Sequence, residues 1–199
     1  MEFEEFEKVY VTTVMHSADA DHGYVRYAGG LWIKYRIAAL HQPSKIVEIG
    51  VRGGYSAWAM LQGAPTAEYI GFDIYKFREP KIDPFTEEFY QNALRLIAGH
   101  KAEIRKENTQ ADGLDMPQAD LYHVDGGHGY KEVLSDIKKC AKSMKETSLL
   151  AAHDFWMPSV SKAVHEGAAA CGLTVFEVPA QRNGDALLFK VKPVWLSEI

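Results

Sequence analysis

Seven short apolar runs, four of the intervals between them filled by stretches with helical spacing, constrain this chain more than any other feature. The runs are KIVEI (45–49), EYIGFDIY (68–75), AEIRKE (102–107), ADLYHVD (119–125), TSLLAAHDF (147–155), LTVFEV (173–178) and DALLFKV (185–191). Apolar runs of this length, closed by glycine or polar breaks, read as strands. YSAWAMLQ (55–62) reads as a helix stopped near Gly63 and Pro65. Residues 84–100 place Phe85, Phe89, Leu94 and Ile97 near helical spacing, with Gly99 as the stop. Residues 130–144 put Val133, Ile137, Cys140 and Met144 on one helical face, and SVSKAVHEGAAACG (159–172) is a helix closed by Gly172.

Strand and helix in alternation predict a parallel sheet with helices on both faces, a Rossmann-like open α/β fold. The last two runs flank AQRNG (180–184), whose Asn183-Gly184 pair suits a hairpin, so the last strand is expected to run antiparallel. The sheet domain spans 45–199. Residues 1–44 precede it as an N-terminal helical segment. In open sheets of this kind ligands sit beyond the carboxyl ends of the strands. The positions to question are therefore 50–56, 73–75, 108–110, 125–130 and 153–156.

The first of these, VEIGVRGGYS (47–56), is a glycine-rich strand-to-helix turn. Gly50, Gly53 and Gly54 permit a tight bend, and the amides of the next helix can face an anion. Arg52 breaks the GxGxxG dinucleotide pattern, and no Gly-Lys-Ser/Thr follows for a P-loop. Glu48, just before the turn, would repel a pyrophosphate but suits a ligand carrying an ammonium group. Asp73 ends the second run, where an acid can accept from ribose hydroxyls. The plainer alternative makes both acids helix caps or solvent-facing groups.

Glu48-x-Gly50-x-x-x-Gly54 followed by Asp73 resembles the first two motifs of class I S-adenosylmethionine-dependent methyltransferases. VDGGHGYKEVLSDIKK (124–139) with LLAAHDF (149–155) resembles, more narrowly, the small-molecule members with an Asp-Gly-x-His-x-Tyr signature. The likeness covers about residues 45–190 and departs at Arg52, where the pattern has another glycine. It implies that Glu48, Gly50 and Gly54 hold the methionine part of S-adenosyl-L-methionine, that Asp73 grips the ribose and that Ile74 packs on the adenine. Asn108 and Thr109 would edge the adenine, and Asp125 also falls within cofactor reach. Ser56 is either a partner for the cofactor carboxylate or a residue of the first helical turn.

In the fourth run Leu121, His123 and Asp125 share one face. Asp125 ends that strand, His128 follows among Gly126, Gly127 and Gly129, and the fifth run delivers His153 and Asp154 beside them. Carboxylate and imidazole ligands suit a divalent cation, magnesium for the acids and manganese, iron or zinc where histidine joins. Asp125, His153 and Asp154 are the metal-ligand candidates. Catechol-type methyltransferases, which the layout resembles, carry two acids or an acid and an amide at the second strand end; here it is His153-Asp154. The same likeness makes His128, three residues after Asp125, the catalytic base that takes the acceptor proton as a neutral imidazole, with Asp125 beside it. The alternative is structural: His153 on a backbone carbonyl, Asp154 as a helix cap and the glycine stretch as a tight turn.

Bulk properties narrow the partner. The chain has 199 residues and a formal net charge of −5, with no concentration of Lys and Arg of the kind nucleic acid requires. A small-molecule acceptor bearing a hydroxyl, a sugar or a phenol, is expected instead, methylated on oxygen. Two cysteines without metal spacing point to a reducing, cytoplasmic setting, and the acidic start lacks a signal or membrane-spanning run. HGYVRYAGGLWIKYRIAAL (22–40) is a lid over the acceptor pocket, a helix on the sheet edge, or a contact in a homo-oligomer. YKFREPKIDPF (75–85) would wall the pocket. The rival activities are a nicotinamide-dependent oxidoreductase and a non-catalytic member of the fold.

Overall fold

The computed structural model describes residues 1–14, 28–75, 85–178 and 184–199. Seven strands form one sheet in the order β3-β2-β1-β4-β5-β7-β6. They are β1 (Lys45–Ile49), β2 (Glu68–Phe72), β3 (Ala102–Arg105), β4 (Leu121–Val124), β5 (Leu149–Ala152), β6 (Thr174–Glu177) and β7 (Ala186–Phe189). β1 to β5 run parallel, and β7 slots antiparallel between β5 and β6. The fold is the mostly parallel open sheet with an antiparallel last strand. The order reverses between β1 and β4, so the crevice expected of such sheets opens beside Gly50 and Asp125.

Alternation along each strand fixes what lies on either face. Val47, Ile49, Tyr122, Val124 and Leu150 pack against α5 (Tyr130–Ser143) and α6 (Pro158–Cys171). Ile46, Tyr69, Leu121, Leu149 and Leu187 pack against α2 (Ala28–His41) and α3 (Tyr55–Gly63). On α5 the expected stripe of Val133, Ile137, Cys140 and Met144 is wholly buried. On α4 (Phe85–Ile97) the buried face is Ala93, Leu96 and Ile97; Leu94 and Phe89 are only half-buried, a rotation of the expected face. The small Ala93 lies inward because it sits under Gly54, where a Cβ would come within 2.7 Å of its Cα.

Ile37 and Ala38 of α2 share a buried cluster with Ile46 and Met60. α1 (Phe3–Val9) docks on α2 and α3 through Phe6, Tyr10, Trp32 and Trp58. The Tyr24–Tyr27 part of the proposed lid, the wall at 76–84 and the Asn183 turn position lie outside the described residues. Among the described residues no helix is long and apolar enough to cross a membrane.

Candidate active site

The β1 turn is built by close backbone approach. Gly50 has φ +89, and a Cβ there would stand 2.0 Å from the carbonyl oxygen of Asp125. Only glycine fits between the two strand ends. Gly50 N–H donates to Phe72 O, and Asp125 N–H to Ile49 O, so this turn and the Asp125 end of β4 form one hydrogen-bonded edge. Arg52 and Tyr75 also take left-handed φ values of 47 and 43. Both donate their backbone N–H to Asp73, at 2.8 and 2.7 Å. Each Asp73 oxygen keeps a lone pair for a further donor, and Ile74 beside it is 44% exposed. A carboxylate acceptor next to bare apolar surface fits a ribose and a purine.

Glu48 and Ser56 do not take part at this surface. Glu48 is fully buried and accepts from Ser56 Oγ at 2.5 Å, from His123 Nδ1 at 2.7 Å and from the Tyr69 hydroxyl. With no exposed surface and three internal donors, Glu48 is held as a buried structural acid in the ligand-free protein. Ser56 is likewise a helix-start residue bonded inward. Asn108 is exposed and caps its own turn through Gln110 N–H at 3.0 Å. Thr109 is buried at 7%, with Lys139 Nζ on its carbonyl at 2.5 Å, so Asn108 faces the crevice edge and Thr109 faces α5. Behind them Asp136 of α5 accepts from Gln110 at 2.8 Å, and burial pushes its carboxyl up to about 6 despite hydrogen bonds from Thr109 and Gln110.

At the other side of the crevice the ends of β4 and β5 bring four titratable groups together. His153 Nδ1 stands 3.2 Å from Asp125 Oδ1 and 3.5 Å from Asp154 Oδ2. His128 Nε2 stands 3.0 Å from Asp154 Oδ2 and 3.9 Å from Asp125 Oδ1. Asp154 holds a left-handed φ of 55 and also accepts from Trp156 Nε1 at 3.0 Å. Oxygen and nitrogen ligand atoms of Asp125, His128 and Asp154 all lie within 4.8 Å of one another.

Charge is concentrated here. Burial opposes ionisation of Asp125, but the charge of His153 and hydrogen bonds from His128 and His153 outweigh it and hold the carboxyl far below the usual range. Asp154 is depressed in the same way, burial being outweighed by bonds from His128 and His153. Asp125 and Asp154 in turn raise His128 to about 10, burial opposing them. His153 rises to about 9 although burial and the Lys34 charge oppose it. In the ligand-free protein both imidazoles are therefore protonated at neutral pH. Flanked by two carboxylates, His128 favours its protonated form in the ligand-free protein.

The glycines at 126, 127 and 129 serve differently from expected. None has a positive φ. A Cβ at Gly127 or Gly129 would meet the Glu132 carboxylate within 2.7 Å, and Gly129 N–H donates to Glu132 at 3.2 Å. They make room for a helix-start acid. Sequence reasoning missed Lys34 and Asp185, and reached Trp156, 60% exposed beside Asp154, only as the last of the positions after the fifth run.

A model of the methyltransferase domain family matches residues 47–155, more than half the chain. The chain belongs to this family. Membership in a methyltransferase family argues against the nicotinamide alternative. An uncharacterised protein of Sinorhizobium fredii, y4gI, is 27% identical over 147 residues, 70% of this chain and 15% of that protein. This chain thus spans about 15% of the length of that relative. Among solved structures, an O-methyltransferase family protein from Burkholderia thailandensis aligns with a TM-score of 0.63 at 13% identity, covering 96% of this chain and 60% of that one. The O-methyltransferase TomG from Streptomyces achromogenes, solved with S-adenosylmethionine, aligns at 0.59 with 15% identity, covering 94% and 97%. A precorrin-6y C5,15-methyltransferase from Geobacter metallireducens aligns at 0.62 with 15% identity, covering 81% and 87%. At such identities these likenesses show the fold.

Proposed function

We propose that the domain transfers a methyl group from S-adenosylmethionine to a hydroxyl of a small-molecule acceptor, a sugar or a phenol, assisted by a divalent cation. The observation that carries this reading is the group of Asp125, His128 and Asp154, with His153 bonded to both acids, at the mouth of the crevice. Two carboxylates and imidazole nitrogens fit manganese, iron or zinc at least as well as magnesium. Asp125, Asp154 and the imidazole of His153 are the residues that would hold the ion, with His128 beside them as the base. A divalent cation supplies Lewis-acid charge that makes an acceptor hydroxyl easier to deprotonate.

The residues of the chain do the rest. The two carboxylates hold the protons of His128 and His153, so with an ion on those carboxylates both imidazoles would hold their protons less tightly, and His128 would be the residue placed to take the acceptor proton. Asp73 and Ile74 orient the nucleoside, and the turn at 50–54 sets its distance from Asp125. Alignment of acceptor and donor is the main requirement of transfer from a sulfonium. The formal net charge of −5 and the lack of a concentrated Lys/Arg run in the sequence argue for a small acceptor rather than nucleic acid. Cys140 and Cys171 are unpaired thiols, in keeping with a cytoplasmic enzyme.

The test is methyl transfer from labelled S-adenosylmethionine to a panel of phenols and sugars, with EDTA and with manganese or magnesium restored. Activity that needs the ion and a hydroxylated acceptor supports the reading. Chelator-resistant transfer removes the ion, and tight, salt-sensitive RNA binding removes the small acceptor.

A further inference from the structure

Lys34 of α2 and Asp185, at the start of β7, form an ion pair that no part of the reaction described above uses. Lys34 is 3% and Asp185 1% exposed, and the ammonium stands 3.3 and 3.4 Å from the two carboxylate oxygens. The partners are 151 residues apart in sequence. A pair withdrawn from water to this degree adds little net stability, because desolvation of both charges offsets their attraction. What it supplies is direction: one ammonium held between two oxygens fixes where the backbone of residue 185 lies.

That backbone leads to the candidate centre. Phe155 N–H donates to Gly184 O at 2.9 Å, one step past the end of the β5–β7 ladder. Val178 N–H donates to Asp185 O at 2.9 Å, closing the other side of the same segment. Phe155 directly follows Asp154, whose φ of 55 is a conformation that needs support from its surroundings. The Lys34 charge also reaches His153, where it opposes protonation.

We propose that the Lys34–Asp185 pair is a positioning element of the reaction centre, which fixes residues 184–185 and through them the left-handed turn that presents His153 and Asp154. The inference rests on the reading of Asp154 as part of that centre. It makes α2, from the segment that precedes the sheet, a component of the active-site frame. A leucine facing a methionine would fill the same space but set no direction for the turn.

The test uses the full chain carrying Lys34→Met with Asp185→Leu, which leaves no unpaired buried charge, and separately Lys34→Arg, which keeps the ion pair. Unfolding temperature, amide exchange and manganese affinity are measured on each. The double variant is expected to unfold near the wild-type temperature. Its Phe155 amide should exchange at least ~10-fold faster while Ala151 within β5 is unchanged. Manganese affinity should fall ~10-fold or more, the scale of losing an outer support of a metal ligand. S-adenosylhomocysteine affinity should stay as in the wild type, and Lys34→Arg should show neither loss. Unchanged Phe155 protection in the double variant overturns the proposal, as does unchanged manganese affinity where the wild type binds the ion. A wild type that binds no manganese sinks the metal reading alone, and Phe155 exchange still decides the positioning role.

Discussion

The two sides of the crevice hold a ligand by different means. At the β1 and β2 ends the geometry is set by backbone: Gly50 against Asp125 O, and Asp73 taking the N–H groups of Arg52 and Tyr75. Its buried acid, Glu48, already has three internal donors. At the β4 and β5 ends the geometry is set by side chains. Four ionisable groups share a few ångströms there, and among the described residues the cationic partners offered to Asp125 and Asp154 are the imidazoles of His128 and His153. A site for a constant cofactor can be rigid and neutral in its demands. A site for proton and methyl chemistry needs charge that can be rearranged, and the second side has it.

Gly50 is where the two sides touch, so its substitution should have the largest effect. Gly50→Ala forces a Cβ onto the Asp125 carbonyl and a left-handed φ onto alanine, and is expected to cost roughly 3 kcal/mol or more of stability. Both S-adenosylhomocysteine affinity and turnover should fall. Gly99→Ala is the control: φ is +86 but nothing lies within 4 Å, so only about 1 kcal/mol is expected. Chemical unfolding of the pair separates crowding from backbone strain. Equal losses would mean that the two strand ends are not interlocked there.

On the reacting side, His128→Ala should lower turnover at least ~100-fold, the usual scale for a group that moves a proton. S-adenosylhomocysteine binding should stay close to the wild type, since His128 touches no part of the Asp73 side. Asp154→Ala should reproduce the effect of a chelator and should weaken manganese binding measured by calorimetry. A variant of either residue with full activity would reduce this side of the crevice to a turn.

Much of this was legible in the chain. Strand spans, the α5 stripe and the antiparallel last strand follow from periodicity and turn residues, which are local properties. The gathering of Asp125, His128, His153 and Asp154 also follows, because strand ends in a parallel sheet are neighbours by construction. What sequence could not carry was direction. Glu48 sits at a strand end beside a glycine turn, and nothing local says that Tyr69 and His123 close over it. Arg52, Tyr75 and Asp154 adopt left-handed backbone without being glycine, while Gly126, Gly127 and Gly129 do not use that freedom. A missing Cβ signals either bend or space, and at Gly127 and Gly129 it is space for Glu132. The Lys34–Asp185 pair joins distant segments with no motif in either.

On the cofactor side a smaller loss is expected. Asp73→Ala removes the carboxylate offered to the ribose, a charged hydrogen bond of about 1.5–3 kcal/mol, and should weaken S-adenosylhomocysteine about 10-fold or more. Turnover at saturating cofactor should change less than in the His128 variant. Asp73→Asn tells the two jobs of this residue apart. It keeps one oxygen for the Arg52 or Tyr75 amide, so the turn should persist while affinity drops. Unchanged affinity in Asp73→Ala would remove Asp73 from the cofactor site.

The smallest effect expected is on the pH dependence of stability in the ligand-free protein, and it separates the two sides most cleanly. His128 and His153, ordinarily near 6.5, are raised to about 10 and about 9 in the folded chain. A group raised on folding contributes stability that is complete below its unfolded value and disappears as pH climbs through the folded one. Asp125 and Asp154 are depressed, so their contribution is complete above the ordinary carboxylate value near 4 and is lost only in stronger acid. The cluster therefore stabilises most between about pH 4 and 6.5 and progressively less toward pH 10. His128 is nearly half exposed, so solvent screens its share and the shift in Tm should be only a few degrees, about the size of a surface pair. Other groups titrate in the same range, so the readout is the difference between wild type and His128→Gln with His153→Gln, which should narrow from pH 6 to pH 9. With manganese present the trend should reverse, since the ion binds the proton-free imidazole of His153 and gains affinity as pH rises. An Asp73→Asn background should leave both trends intact, because that side holds no raised histidine. A wild type that gains on the double variant as pH rises without metal would mean that the imidazoles are neutral in the folded protein, and the contrast between the two sides would not be one of charge.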